Sequence, residues 1–488
     1  MSSMLWPILR RALRDPQRIA VIDDQRSWRN IDLIGGALYL AEEIEKRCAT
    51  RHVAIMLPTG GAFPMALLAT WMLGRVAVPV NYLLSESERQ YVIDDCEADT
   101  LITAGPMLEY LGGSPKNIRL LKLDELNFRG FPPLRMPPLF TPNDDLAAIL
   151  YTSGTSGRPK GVMLTHRNLR SNVFASIRHA GLTESSGFLG VLPQFHCFGL
   201  MAMTLIPLVL GAKVVYTARF VPSKIIKLMR EHRPDVFMAI PSMYAALLAV
   251  KDVDREDMAS IRLAVSGAEP LPHDVYLRFG ERFGVRLLEG YGLTETSPAV
   301  SWSVPETAIE KSVGTLLPGI EVRVLDTHGD ALPIGSEGEV AVRGPNVMAG
   351  YFKMPELTRQ AIDDEGFFHT GDFGRLDERG RLFITGRLKE MLIIGGENVF
   401  PREIEEVLMQ HPSVKAAGVV GRNDPSRGEV AVAFVEIAEG EIFSEAALRT
   451  FCREHLAGFK VPREIRQLDQ LPRSPTGKVL KRQLGELA

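Results

Sequence analysis

The chain has 488 residues, 45% of them hydrophobic and 24% charged, which is a globular composition in a chain too long for one ordinary core. A formal net charge of −3 excludes an electrostatic reason to bind nucleic acid, so we expect no nucleic-acid partner. The four cysteines form no CxxC pair, which argues against a zinc site and indicates a reducing compartment.

The N-terminal twenty residues carry four arginines after a brief apolar start, without the continuous apolar core of a signal peptide. The apolar stretch 62–80 contains Pro64 and Arg75, so it predicts a buried helix and strand rather than a membrane span. We therefore expect a cytoplasmic monomer or homodimer with at most peripheral membrane contact.

A βαβ rhythm begins near residue 53, with a strand over 53–57, a helix over 62–74 and a strand over 76–80. A second series of short strand and helix patterns runs from 187 to 288. Alternating segments then follow from residue 320. The chain is therefore predicted to be an α/β protein with parallel sheets, followed by an antiparallel β region.

A compact unit begins anew after Gly386. Its pattern predicts helices over 404–409 and 445–455, with strands over 414–420 and 429–435. We place the domain boundary there, giving a large domain over 1–386 and a small α+β domain over 387–488.

The stretch 151–161, YTSGTSGRPKG, follows a short apolar run that predicts a buried strand. Its glycines let backbone N–H groups turn inward, its hydroxyls add donors, and its lysine adds a mobile charge, which together suit phosphate oxygens. The GxxxxGK[ST] spacing of a P-loop is absent from the chain, and a flexible surface loop is the alternative. The predicted phosphate cradle consists of Thr152, Ser153, Gly154, Thr155, Ser156, Gly157 and Lys160.

YTSGTSGRPKGV resembles the signature of the adenylate-forming superfamily, which includes acyl-CoA synthetases, amino-acid-activating domains of peptide synthetases and beetle luciferases. Further motifs resembling this family recur in the expected order along nearly the whole chain. The resemblance implies a large N-terminal domain and a small, mobile C-terminal one. It also implies two steps, in which ATP converts a carboxylic acid to an acyl-adenylate and a thiol such as coenzyme A then displaces AMP.

Residues 289–296, EGYGLTET, resemble the family's GYGxTE motif and are predicted to follow a strand over 285–288, where open α/β sheets bind ligands. The resemblance implies that Tyr291 lies against the purine and that Thr294 donates to the α-phosphate. Glu295 would give one oxygen to Mg²⁺, with water and phosphate completing the shell. An ordinary strand and turn is the alternative. Further nucleotide contacts are expected from Glu289, Gly290, Gly292, Gly267, Ala268 and Glu269.

Residues 370–372 match the family's TGD motif, and the carboxylate of Asp372 suits the two hydroxyls of a ribose. Arg387 is expected close to the same ribose or to phosphate. A purely structural ion pair between Asp372 and Arg387 is the alternative.

The C-terminal stretch 472–481, PRSPTGKVLK, resembles the segment that carries the family's adenylation lysine. We expect Lys478 to bridge the acid and the α-phosphate in the first step, the alternative being a solvated tail lysine. Lys389 lies where the family has its hinge, and rotation there would form a thiol-side face from Gly395, Gly396 and Glu397. A plain loop before the next helix is the alternative for that last stretch.

Residues 192–200, LPQFHCFGL, resemble the pocket-entry segment of fatty- and aryl-acid ligases. Amino-acid-activating domains carry an Asp where this chain has His196, which argues against an α-amino acid. His196 is expected to order the pocket or gate the thiol, and a structural histidine is the alternative. Apolar residues in 200–203 and 237–241 predict a hydrophobic pocket.

These features favour a medium- or long-chain fatty acid over a benzoate, and coenzyme A over a carrier protein. An aryl-CoA ligase, an acyl-carrier-protein synthetase and a luciferase-like oxygenase remain alternatives. A catalytically inactive ATP-binding protein is disfavoured because the whole set of motif residues is present.

Overall fold

A computed structural model describes residues 3–128, 130, 132–133, 142, 144–153, 158–395, 397–424, 427–473 and 479–488. Ser153 is described by its backbone alone. Six predicted site residues lie outside the described residues: Gly154, Thr155, Ser156, Gly157, Gly396 and Lys478.

The described strands are β1 (Ile19–Ile22), β2 (Ser27–Arg29), β3 (His52–Ile55), β4 (Val76–Pro79), β5 (Thr100–Thr103), β6 (Arg119–Lys122), β7 (Leu146–Ser153), β8 (Pro159–Thr165), β9 (Phe188–Gly190), β10 (Val214–Tyr216), β11 (Val236–Ala239), β12 (Leu263–Ser266), β13 (Leu287–Gly292), β14 (Ala299–Trp302), β15 (Thr315–Leu316), β16 (Glu321–Leu325), β17 (Gly338–Arg343), β18 (Gly350–Tyr351), β19 (Phe368–Leu376), β20 (Leu382–Arg387), β21 (Leu392–Ile394), β22 (Glu397–Val399), β23 (Val414–Asp424), β24 (Gly428–Ile437) and β25 (Glu464–Gln467).

The described α-helices are α1 (Leu5–Arg14), α2 (Asn30–Arg47), α3 (Ala62–Met72), α4 (Glu86–Asp95), α5 (Gly105–Tyr110), α6 (His166–His179), α7 (Ile206–Leu210), α8 (Pro222–His232), α9 (Pro241–Leu248), α10 (Arg255–Met258), α11 (His273–Phe283), α12 (Pro355–Ala361), α13 (Pro401–Met409), α14 (Glu445–His455) and α15 (Lys481–Gly485). A π-helical segment, Gly199–Leu205, runs directly into α7, and short 3-10 turns occupy Leu123–Glu125, Thr294–Thr296 and Leu388–Glu390.

Two large sheets organise the N-terminal part. One has nine strands in the order β15-β14-β13-β12-β11-β9-β10-β1-β2, and the other has seven in the order β18-β8-β7-β4-β3-β5-β6. Within the nine-stranded sheet, β13, β12, β11, β9, β10 and β1 are parallel, while its outer strands pair antiparallel. One core joins both sheets, and α3 belongs to it because it is apolar all round and buried from Phe63 to Met72. The predicted α/β class with parallel sheets is thus confirmed.

Two smaller antiparallel sheets follow. Strands β16-β17-β19-β20 form a four-stranded sheet, which confirms the antiparallel region predicted after residue 320. Strands β22-β21-β24-β23 form the sheet of the C-terminal part, with β25 parallel to β24, and this sheet shares its own core with α13 and α14. The exact domain boundary at 386/387 stays a prediction. No helix within the described ranges is long and apolar enough to cross a bilayer.

The phosphate motif lies at the turn between β7 and the antiparallel strand β8, and β8 then leads into α6. One local prediction was wrong, because the glycine-rich motif at 289–292 does not follow its strand. β13 starts at Leu287 and runs through Gly292, because the motif's backbone pairs antiparallel with β14.

Candidate active site

A cavity of about 680 Å³ lies where the two large sheets, the four-stranded sheet and the following connection meet. Its walls come from the ends of β9, β11, β12 and β13, from the β7–β8 hairpin, from β19 and from residues 387–389. The size lies within the usual range for small-molecule sites. The predicted site residues that line it are Thr152, Lys160, His196, Gly267, Ala268, Glu269, Gly290, Tyr291, Gly292, Thr294, Glu295 and Arg387.

One end of the cavity combines a cation, hydroxyl groups and a carboxylate. Thr152 and Lys160 are direct partners across the β7–β8 hairpin, which places both side chains on the same face of the ribbon. The ammonium of Lys160 lies 5.5 Å from the ring centroid of Tyr351, within cation–π range. The Tyr351 hydroxyl donates to Glu295 Oε1 over 2.9 Å. This end therefore suits phosphate together with its counter-ion.

Glu295 is held by its backbone as well as by its side chain. It lies in the 3-10 turn that follows β13, and its carbonyl accepts the N–H of Met348 over 2.8 Å. No cluster of three or more His, Cys, Asp or Glu side chains suited to a metal occurs among the described residues. A hard cation such as Mg²⁺ takes most of its ligands from phosphate and water. The one carboxylate of Glu295, which lines the cavity, therefore fits such a cation.

A second polar group surrounds Asp372, a carboxylate that is 3% exposed. It accepts the Tyr291 hydroxyl over 2.7 Å and pairs with Arg387 Nε at 2.8 Å. Asp372 and Arg387 are cross-strand partners of β19 and β20, so the sheet register itself sets this contact. Burial lowers the pKa of Arg387, yet Asp372, Glu390 and Tyr291 together outweigh it and the net shift of the pKa is upward.

The structure thus contains an ion pair between Asp372 and Arg387, and a role of these two residues at the ribose stays a prediction. Arg387 lines the cavity, whereas Asp372 is not among the lining residues and contacts the lining residue Tyr291. Asp372 and Arg387 therefore both lie close to Tyr291, which forms part of the cavity wall.

Glycine is required where β13 pairs closely with β14. A side chain at Gly292 would overlap the carbonyl group of Pro298, and one at Gly290 would come within 3.1 Å of the Trp302 Cβ. Because its two neighbours are glycines, Tyr291 contributes the only large side chain among residues 290–292 at the cavity wall. Ala268 adopts a left-handed backbone (φ 69°), a conformation that is uncommon for alanine and marks a fixed turn after β12.

Glu289 does not line the cavity, although it belongs to the same strand. Burial raises the pKa of its carboxyl to about 7, with Arg402 opposing the shift and Glu406 and Glu310 adding to it. Because Arg402 and Glu406 belong to α13, this carboxyl lies against the C-terminal part of the chain.

Another wall of the cavity is apolar. It is formed by side chains from the π-helical segment, β11, β12, the start of α9 and β14, namely Met201, Met238, Ile240, Met243, Val265 and Trp302. Thioether side chains adapt to irregular ligand shapes. None of these six wall residues is charged or titratable, so this region suits the hydrocarbon part of a ligand.

His196 also lines the cavity. Its Nδ1 accepts the backbone N–H of Phe198 over 3.3 Å, and surrounding protein atoms lower its pKa although the ring is exposed to the cavity. The neutral ring consequently carries its proton on Nε2. The adjacent Cys197 is fully enclosed, and burial raises the pKa of its thiol, which removes it as a nucleophile.

The structure does not bring every predicted residue to the cavity. Gly395 and Glu397 lie on the β21–β22 hairpin, away from the cavity lining, whereas Lys389 is part of that lining.

Tyr351 is a site residue that the sequence analysis missed. Its position depends on pairing of the two-residue strand β18 with β8, nearly two hundred residues earlier, and the sequence carries no local sign of that pairing.

Two family profiles match this chain. The profile described as AMP-binding enzyme covers residues 8–352, and the one described as AMP-binding enzyme C-terminal domain covers residues 403–478. Among similar proteins, a sulfoacetate–CoA ligase of Cupriavidus necator is 36% identical, covering 88% of this chain and 86% of its own length. A feruloyl-CoA synthase of Amycolatopsis is 34% identical over 98% and 97%. A medium-chain fatty-acid–CoA ligase of Escherichia coli is 32% identical over 98% and 88%.

Solved structures of similar proteins show the same architecture. ATP-bound MatB from Rhodopseudomonas palustris has a TM-score of 0.90 at 32% identity, over 100% of this chain and 99% of its own. The apo form of the same protein has a TM-score of 0.81 at the same identity and coverage. The o-succinylbenzoate CoA synthetase MenE from Bacillus subtilis, in complex with ATP and magnesium ion, has a TM-score of 0.86 at 30% identity over 98% and 99%.

Proposed function

Because this chain belongs to the AMP-binding enzyme family, we propose that it is an AMP-forming acid–thiol ligase that joins a hydrophobic carboxylic acid to coenzyme A. ATP and Mg²⁺ serve the first step, which makes the acyl-adenylate and pyrophosphate. Coenzyme A then takes the acyl group and releases AMP.

The observation that supports this proposal best is the cavity, whose polar end and apolar wall lie within one enclosure. A carboxylate can attack an α-phosphate only if the acid and the nucleotide occupy the same space in a fixed orientation. A site for ATP hydrolysis alone would have no use for the wall of methionine and valine side chains.

The proposed roles follow from where each group stands. Lys160 and Thr152 neutralise and hold the phosphates, and Tyr291 stacks beside the purine while Asp372 and Arg387 serve the ribose. Glu295 would hold Mg²⁺, which supplies charge neutralisation at the phosphates when bound. Lys478, outside the described residues, is assigned to the acid and the α-phosphate in the first step.

The acid is proposed to be a monocarboxylate with a hydrocarbon chain. A second anionic group on the acid would need a cation at the far end, and the apolar wall formed by the six residues above offers none. The three methionines favour a flexible alkyl chain of medium or long length, since thioethers repack around such chains.

The proposal is tested by a screen for pyrophosphate release over fatty, aryl, amino and dicarboxylic acids, with coenzyme A added and withheld. We expect release and AMP formation with fatty acids and little with amino or dicarboxylic acids. ATP cleavage to ADP without any acid, or no AMP from any acid, would contradict the ligase assignment.

An aryl acid is the second candidate. The feruloyl-CoA synthase that matches 98% of this chain favours it, and a planar aromatic acid also suits an apolar wall that contains Trp302. In the same screen, a higher kcat/KM for cinnamate-type acids than for octanoate or palmitate selects this alternative over a fatty acid.

A further inference from the structure

A lysine near the C-terminus joins three separate segments of the chain. Lys481 Nζ lies 2.8 Å from Glu390 Oε2 and 3.0 Å from Glu405 Oε1. Glu390 ends the 3-10 turn after β20 and directly follows Lys389, whereas Glu405 lies on α13. Lys481 itself starts α15, so one ammonium group connects the inter-domain connection, a helix of the C-terminal core and the tail.

This cluster is anchored and sheltered. Glu405 Oε1 also accepts the N–H of Val419 over 2.8 Å, which ties it to β23. The side chains of Lys481 and Glu405 are 24% and 14% exposed. Burial lowers the pKa of Lys481, but Glu405 and Glu390 outweigh it and the net shift is upward, so the ammonium stays charged near neutral pH.

The tail is also fixed just before Lys481. The N–H of Leu480 donates to the carbonyl of Pro472 over 2.7 Å, and Arg473 pairs with Val479 in an antiparallel bridge. These contacts bring together the two ends of the segment 474–478, which contains Lys478. Lys481 therefore connects the base of that segment to the residue after Lys389.

We propose that Lys481 is a positioning residue that couples the connection at Lys389 to the described tail residues on either side of the segment 474–478. A rotation at Lys389 then moves both ends of that segment together with Glu390. The kinetic part of this inference rests on the proposed function.

The first test compares Lys481→Met and Lys481→Arg with a matched control, Lys460→Met. Lys460 is 22% exposed and pairs with Glu403 on the same helix α13 at 2.7 Å, but no described contact takes it to the connection or the tail. In fatty-acid-dependent pyrophosphate exchange, we expect Lys481→Met to lose about tenfold in kcat with little change in the KM for ATP or acid. Lys481→Arg should keep most of the rate.

Equal losses in Lys481→Met and Lys460→Met, or a loss confined to KM, would overturn the proposal, because general loosening of the C-terminal part would explain either result. Thermal unfolding of both variants reports whether they are folded and comparably stable.

A second test does not depend on catalysis. Limited digestion with trypsin, followed by mass analysis of fragments, measures cleavage after Arg387 and Lys389. We expect this cleavage to be faster in Lys481→Met than in the wild type or in Lys460→Met, because Glu390 loses its ion pair with Lys481. Unchanged cleavage in Lys481→Met would overturn the coupling. A wild-type enzyme that never makes AMP would reject the proposed function while leaving this test valid.

Discussion

Tyr351 contacts both Glu295 and Lys160. Its hydroxyl donates to the carboxylate of Glu295, and its ring lies within cation–π range of the ammonium of Lys160. The two contacts can be separated experimentally, since Tyr351→Phe removes the hydroxyl and keeps the ring. An outer-shell hydrogen bond of this kind fixes the orientation of a metal-binding carboxylate.

We therefore expect Tyr351→Phe to raise the Mg²⁺ concentration for half-maximal pyrophosphate release about tenfold, in line with the loss of an outer-shell partner. Glu295→Gln should lose activity at every Mg²⁺ concentration, because the anionic ligand itself is gone. Titration of Mg²⁺ at saturating ATP distinguishes the two. If Tyr351→Phe titrates like the wild type, the hydroxyl does not orient Glu295.

Glu289 provides a prediction about pH. Its carboxyl has an ordinary pKa of 4.5 and a folded-state pKa of about 7, raised by burial. As the pH rises through this window, the unfolded chain loses the proton first, so the folded state is progressively destabilised. Above the folded pKa the penalty is constant, and below the ordinary pKa it vanishes.

Glu289→Gln keeps the shape and an acceptor oxygen but cannot ionise. We expect the variant to gain stability relative to the wild type as the pH rises from 4.5 to 8, on the order of 1 to 3 kcal/mol in total. Thermal unfolding at several pH values measures this difference. A gap between the two proteins that is the same at pH 5 and pH 8 would show that Glu289 does not titrate as proposed.

Among the secondary-structure elements, the β19–β20 hairpin carries both halves of the Asp372–Arg387 pair and, at its turn, a second pair. There Asp377 contacts Arg381 at 2.6 Å, far along the hairpin from the cavity residues. The hairpin thus carries one carboxylate that contacts the cavity-lining residue Tyr291 and a second, paired carboxylate at its turn.

Asp372→Asn should leave Arg387 without its carboxylate, weaken the fold by about 1 to 3 kcal/mol and raise the KM for ATP at least tenfold. Asp377→Asn should also cost stability, through the turn, but should leave the KM for ATP unchanged. Thermal unfolding and initial rates at varied ATP provide both readouts. Parallel changes in KM for the two variants would mean that the ion pair acts only through stability.

The sequence predicted elements with local signals and missed those made by distant pairing. The apolar run before Tyr151 is a local signal, and it correctly predicted the strand β7, whereas the end of the strand near Tyr291 was misplaced because the backbone of 290–292 pairs with β14. Strand β8 was missed because it is formed through its pairing with β7. Tyr351 was missed for the same reason, since no spacing rule links it to Lys160.

In the whole molecule, the small C-terminal part meets the cavity through residues 387–389. The TM-score is higher with ATP-bound MatB than with its apo form, 0.90 against 0.81 at equal coverage. The arrangement here is therefore more similar to that of ATP-bound MatB than to that of its apo form. In this one, Gly395 and Glu397 stay outside the cavity lining.

Lys389 lies in a 3-10 turn, whose φ is close to the value that proline imposes. Lys389→Pro should therefore preserve the present arrangement and obstruct any other that needs a different φ. We expect acyl-adenylate formation to be retained within about threefold, and thioester formation from preformed acyl-adenylate to slow tenfold or more, a barrier increase of at least about 1.4 kcal/mol. Single-turnover assays of each half-reaction measure the two rates.

Lys389→Ala is the matched control, because it removes the same side chain from the cavity wall and leaves the backbone free to rotate. If the side chain matters, both variants lose the same step to the same extent. If rotation matters, the proline variant alone loses thioester formation, since only its backbone is held in the first arrangement. Equal slowing of both half-reactions by proline would indicate distortion of the turn and would count against a pivot at this residue.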